Sequence, residues 1–163
     1  MTVPATILFV CTGNLCRSPM AEGILKARFR SEGKHTLYQV RSAGAWTQNG
    51  QSASALAIQA MDELGLDISS HRSRRLTAED VADASLVSVM TRDHKEALLS
   101  EFPEARQKIL LLSELAGKMY DISDPYGSDS QQLYRECARE IGHLLDEGYP
   151  RLLELVGSES EEG

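Results

Sequence analysis

The residues best equipped to do chemistry lie together in "CTGNLCRS" (11–18): a thiol, Cys11, and an arginine, Arg17, six positions on. Six successive backbone N–H groups, Thr12 to Arg17, can curl into one concavity that accepts an anion. Gly13 and Asn14 are among the few residue types that tolerate the left-handed turn such a curl needs. A helix opening near Pro19 aims its positive end at the same point. Arg17 adds a planar fork that grips two oxygens at once. Thr12, Gly13, Asn14, Leu15, Cys16, Arg17 and Ser18 therefore form a cup for a tetrahedral oxyanion above Cys11. The same donors, with the Ser18 hydroxyl, favour a thiolate, and a thiolate there is a nucleophile able to carry phosphate as phosphocysteine. A cysteine after a strand is ordinarily a small core residue. The offsets of Gly13, Asn14, Arg17, Ser18 and Pro19 set this one apart. The GxxxxGK pattern of a nucleotide-binding loop is absent.

Phosphoryl transfer to Cys11 leaves an oxyanion in need of a proton, so an acid must face the nucleophile in line. Asp124 in "SDPYG" (123–127) is a loop carboxylate stiffened by Pro125. Taken alone, Asp-Pro is a common turn opener. Trp46, the only tryptophan, follows "RSAGA" in a loop, where it either packs or walls a pocket. The basic run "HRSRR" (71–75) is either a solvated face or a draw for phosphorylated partners.

The elements that must position these groups alternate. "ATILFV" (5–10) reads as a buried strand and Pro19 opens a helix to about Phe29. "TLYQVRS" (36–42) has strand character. "SASALAIQAMDELG" (52–65) puts Leu56, Ala60, Met61 and Leu64 on one helical face. Thr77 caps a short helix, "SLVSVM" (85–90) is a strand, 92–102 a helix stopped by Pro103, and "KILLL" (108–112) the next strand. A last helix runs from about Ser130 to Val156 with Leu133, Cys137, Ile141, Leu144 and Leu145 as its apolar stripe, and Gly148 and Pro150 threaten to interrupt it. Strands alternating with helices give an α/β fold with a parallel sheet covered on both faces. Ligands bind such sheets beyond the C-terminal strand ends, where Cys11 sits.

Composition removes other classes. The 163 residues suit one domain, and no apolar run approaches the ~18 residues of a membrane span. The start "MTVPA" lacks a basic signal region, so a cytoplasmic protein is expected. Three cysteines (Cys11, Cys16, Cys137) are too few for a secreted disulfide framework and lack the companions of a zinc site, so no metal is expected. The net charge is −7, and −4 without Glu159, Glu161 and Glu162 of the tail, which argues against nucleic acid as a partner.

With these residues in view, "VCTGNLCRSP" (10–19) resembles the signature of the low-molecular-weight protein-tyrosine-phosphatase family, and the likeness extends through "RSAG" (41–44), "SHRSRRL" (70–76), "ADASLVSVMT" (82–91) and "DPYG" (124–127). The resemblance implies a single-domain three-layer α/β/α fold over 1–156 with a four-stranded parallel sheet, and leaves 157–163 as an acidic, disordered tail. It implies Cys11 as nucleophile, Arg17 as phosphate clamp and Asp124 as general acid and base, with no cofactor. It assigns Asn14, Ser18, Ser42 and His71 to a network holding the loop; by themselves Ser42 and His71 read only as a strand-end cap and a surface histidine. It places Leu15, Trp46 and Tyr126 on the pocket wall, and makes Cys16 the partner of a protective disulfide with Cys11. Family members often carry two aromatics after Asp-Pro; here Gly127 follows Tyr126. Cys137 reads as core, and His35, His94 and His143 receive no role.

Three rival activities share this pattern. Thiol-dependent arsenate reductases need further cysteines where this chain has "ADASLVSV" (82–89). Protein-arginine phosphatases share most of the motifs but place a threonine where this chain has Leu15, whose bulk suits a flat ring. A non-catalytic phosphate-binding module is opposed by the joint presence of Cys11, Arg17 and Asp124. The reading is a phosphotyrosine phosphatase, with phosphoarginine as the alternative substrate, acting as a monomer on phosphorylated proteins.

Overall fold

The structure, a computed structural model, describes residues 3–162, with side chains described as far as Gly157. Its sheet is built from β1 (Ala5–Cys11), β2 (Tyr38–Gly44), β3 (Leu86–Val89) and β4 (Ile109–Leu111), all parallel, in the order β2-β1-β3-β4. The helices are α1 (Arg17–Ser31), α2 (Ala55–Glu63), α3 (Ala78–Asp83), α4 (Arg92–Glu101), the single turn α5 (Leu112–Leu115) and α6 (Gln131–Glu162), with a 3-10 stretch at Pro103–Lys108. Among the described residues no helix is long and apolar enough to cross a membrane.

β1 lies inside the sheet and is apolar at nearly every position because both of its faces are covered. Ile7, Phe9 and Cys11 face the core beneath α1, α2 and α6, while Leu8 and Val10 face the core shared with α3 and α4. Burial of Ile7, Leu8, Phe9 and Val10 stabilises the sheet centre by about 1.5–3 kcal/mol each. The chain leaves β1 to one side for β2 and to the other for β3, so the strand order reverses at the end of β1, the position where such sheets bind ligands. β2 runs two residues further than the sequence suggested, and the pairing Cys11↔Gly44 brings "RSAG" beside the thiol loop.

Other boundaries shift for local reasons. α2 starts at Ala55 because the Ser54 hydroxyl accepts the amide of Ala57 and caps it there. Leu64, expected on its apolar face, follows the last helical residue and is exposed, leaving Ala57, Ala60 and Met61 buried. Leu112 turns into α5, which ends β4 early. The stripe of α6 is Tyr134, Cys137, Ala138, Ile141, Leu144, Leu145, Tyr149, Leu152 and Val156; Leu133, expected within it, lies at the edge of that face in the first turn of the helix and is exposed. Gly148 and Pro150 do not interrupt this helix. The backbone of 157–162 continues it where the sequence suggested a disordered tail, while Gly163 and the side chains from Ser158 onward lie outside the described residues.

Gly148 is where α6 meets α5 most closely: a Cβ there would lie 2.7 Å from Leu115 Cβ and 2.9 Å from its carbonyl carbon. Gly148→Ala is expected to lower the melting temperature despite the better helix propensity of alanine. The ~1 kcal/mol propensity gain is set against ~1–3 kcal/mol of overpacking at backbone that cannot yield. Thermal unfolding followed by circular dichroism measures the sign; a raised midpoint would show that α5 moves freely.

Candidate active site

The loop after β1 is folded around Asn14, the only non-glycine residue with positive φ among those described (φ 58°). Asn14 is fully buried and pinned from four directions. Its Nδ2 donates to Ser18 Oγ (2.9 Å) and Ser42 Oγ (3.0 Å), its Oδ1 accepts the Arg74 amide (2.9 Å), and its carbonyl lies 2.7 Å from His71 Nε2. The Arg74 amide decides which end of the side chain is oxygen, so Nδ2 must face the two serines. Ser42 lies 2.5 Å from Glu22 Oε1; an ionised carboxylate only accepts, so Ser42 donates to it and accepts from Asn14. Ser18 likewise spends a lone pair on Asn14, and its hydroxyl lies 2.9 Å from Cys11 Sγ, within hydrogen-bond reach. Glu22 and the Arg74 amide escaped the sequence reading; the spacing Pro19-x-x-Glu22 on α1 carries no signal of a contact to β2.

The rest of the cup follows from the same fold. Among the described residues, the amides of Thr12 to Cys16 donate to no protein acceptor, so they stay available to an anion. A Cβ on Gly44 would meet Thr12 O at 3.0 Å and Asn14 Cβ at 3.1 Å; glycine lets β2 pass this close beneath the loop. Ala45 N and Trp46 N donate to Cys11 O and Thr12 O, tying the Trp46 loop to the thiol loop.

Arg17, the first residue of α1, is 3% exposed. Its Nη1 donates to Ile122 O (2.8 Å), its Nη2 pairs with Asp124 Oδ2 (3.2 Å), and its Nε is buried without a protein partner. A guanidinium with a free buried donor is suited to receive an oxyanion in that direction. Asp124, which has no basic neighbour in sequence, is thereby placed at the cup. Its Oδ1 accepts the Tyr126 amide (3.0 Å), fixing the loop as an Asx turn, and its side chain is 40% exposed.

The pocket over Cys11 encloses about 660 Å3. Leu15, Trp46 and Tyr126 supply its apolar walls, and among the described residues Asp124 is its only carboxylate; Arg75 and Arg17 are the cations on its lining. Trp46 and Tyr126 are exposed at the mouth (80% and 61%). Single aromatics standing in water beside a cleft are suited to sandwich an incoming ring.

Three further groups complete the surroundings. Cys16 lines the same pocket as a free thiol, its S–H directed at Ser54 Oγ (3.5 Å) and Tyr134 OH (3.7 Å); burial pushes its pKa up. Cys137 is free and buried, its pKa pushed up to about 12 chiefly by desolvation, which suits an inert core thiol. His94, given no role by the sequence, has its Nε2 2.8 Å from Thr12 Oγ1, and burial, then the Arg17 charge, lowers its pKa. Nothing in its local sequence foretells this, since α4 must fold back beside β1 to bring it there.

Comparison with known proteins agrees with this geometry. Residues 6–160 match the family model for low molecular weight phosphotyrosine protein phosphatase. A protein-arginine-phosphatase of Geobacillus stearothermophilus is 37% identical over 96% of this chain and 99% of its own. A probable low molecular weight protein-tyrosine-phosphatase, EpsP, of Ralstonia nicotianae is 34% identical over 92% and 97%. Among solved structures, the low molecular weight protein tyrosine phosphatase from T. tengcongensis superposes with a TM-score of 0.85 at 40% identity, covering 90% of this chain and 99% of that one. The loop of Cys11, with Arg17 and Asp124 beside it, therefore sits in a chain that belongs to the low-molecular-weight protein-tyrosine-phosphatase family of hydrolases.

Proposed function

We propose that this chain hydrolyses phosphotyrosine in proteins through a phosphocysteine intermediate, with Cys11, Arg17 and Asp124 as the reacting groups. The phosphate dianion enters the cup, accepts from the loop amides and Arg17, and lies over Cys11 Sγ. The thiolate, with the Ser18 hydroxyl 2.9 Å away, attacks phosphorus; the S–P bond forms as the P–O bond to the leaving group breaks. Asp124 gives its proton to the departing phenolate oxygen. It then takes a proton from water, which attacks phosphorus, releases inorganic phosphate and restores the thiolate. The site is complete within one chain, which supports action as a monomer.

The observation that carries the choice of substrate is the pocket wall. A phenyl ring needs apolar faces, which Leu15, Trp46 and Tyr126 offer. A phosphorylated guanidinium needs acceptors for its remaining N–H groups, and the lining holds one carboxylate beside two arginines. Phosphoarginine remains the second reading because relatives 37% and 39% identical bear that activity in their names.

Hydrolysis of p-nitrophenyl phosphate tests the mechanism: Cys11→Ser should abolish it, and Asp124→Asn should lower kcat by about 10²–10⁴. Turnover that survives Cys11→Ser would refute the covalent route. For the pocket, Leu15→Thr should raise the rate on phosphoarginine relative to phosphotyrosine, read as the ratio of kcat/KM on the two; an unchanged ratio would remove Leu15 as selector.

A redox role for Cys16 belongs to the same proposal. Peroxide oxidises Cys11 to the sulfenic acid, and Cys16 then displaces water to give the disulfide, which a thiol reduces. Activity lost to peroxide should return with dithiothreitol in the wild type and not in Cys16→Ser. Equal recovery in both would count against a protective disulfide.

A further inference from the structure

The run "HRSRR" is basic in sequence, yet the fold sends its members to different places. His71 turns inward to the Asn14 carbonyl. Arg72 spends Nη1 on the carbonyls of Ser69 and His71. Arg74 pairs with Asp80 at 3.0 Å. These three line a separate groove of about 400 Å3 behind the thiol loop. Arg75 alone of the run lines the pocket over Cys11, together with Trp46, Thr47, Gln48 and Gln51.

Arg75 is held in a way that leaves its charge for a ligand. Its backbone bridges to Gly44 beside the cup, and its amide donates to Asn49 Oδ1 at 2.7 Å. Its Nε reaches Thr47 O at 3.4 Å. Neither terminal nitrogen has an acceptor, and no carboxylate pairs with the side chain, among the described residues. The one carboxylate of the pocket, Asp124, is engaged by Arg17 and does not neutralise it. Arg17 and the loop amides already receive the phosphate at the pocket floor. A second, unpaired fork on the lining thus faces whatever the phosphorylated residue brings with it.

We propose that Arg75 selects substrates with an acidic residue next to the phosphorylated one, its terminal nitrogens pairing with that neighbour's carboxylate. The proposal rests on the phosphatase reading above. The chain as a whole carries −7, so long-range attraction does not draw acidic partners in. The preference arises at contact range, from one charge held at the rim, and a neighbouring lysine meets repulsion at the same point.

The test compares phosphotyrosyl peptides of equal length bearing glutamate, alanine or lysine on both sides of the phosphotyrosine. At low ionic strength the wild type should favour the glutamate over the alanine peptide in kcat/KM by about two- to fivefold, the span of an exposed ion pair. The ratio should fall to about one in Arg75→Ala, invert toward the lysine peptide in Arg75→Glu, survive in part in Arg75→Lys, and shrink for the wild type in high salt. Each ratio is internal to one protein, so a general loss of turnover cancels. A wild-type ratio of one, or a preference that persists in Arg75→Ala, overturns the proposal. Titrating the same peptides against Cys11→Ser reads the preference as a ratio of Kd values without turnover. Failure of the phosphatase reading, which shows as no Cys11-dependent hydrolysis, is thereby kept separate from failure of Arg75 as selector.

Discussion

The left-handed turn at Asn14 is the constraint on which the site depends. An L-residue there costs about 1–2 kcal/mol, and a buried amide left unpaired would cost more. Four hydrogen bonds from α1, β2 and the segment after α2 remove both objections, at roughly 1 kcal/mol net each. Release of that turn would let the loop amides diverge and the cup open. The strain is therefore maintained by contacts drawn from three separate elements.

Direction matters as much as number in this network. Glu22 accepts from Ser42, the Arg74 amide fixes the Asn14 amide, and Asn14 in turn donates to Ser18, whose hydroxyl lies 2.9 Å from Cys11 Sγ. The network thus holds the loop in place before any substrate arrives, as preorganised sites do. Arg17 is held likewise: Ile122 and Asp124 fix two of its nitrogens, so its third, Nε, already has a direction.

The pocket divides its labour by polarity. Its floor is polar and, on the proposed reading, receives the phosphate, while its walls, Leu15, Trp46 and Tyr126, are apolar and would face the group that bears it. Gly127 after Tyr126 leaves that wall with one aromatic from the acid loop, and Trp46 from the opposite loop faces the same space.

Much of this was legible in one dimension. The alternation of apolar runs with amphipathic stretches specifies a parallel sheet with helices on both faces, because strands buried twice must be apolar throughout and covering helices need one dry side. The cup was legible because its parts are neighbours in the chain: Cys11, Gly13, Asn14, Arg17 and Ser18 act within one turn. The errors at Leu64 and Leu133 came from helix ends, where only packing decides whether a residue near the apolar face is covered. Pairings across long stretches of chain had no local signature: Arg17 with Asp124, Thr12 with His94, Ser42 with Glu22. The basic run shows the difference most plainly, since charge is a property of composition but its destination is not. What the sequence determined by itself was the chemistry of the loop and the layers of the fold. What tertiary structure decided was which distant groups complete that loop and which single arginine of the run faces the pocket, because those depend on how separate elements dock.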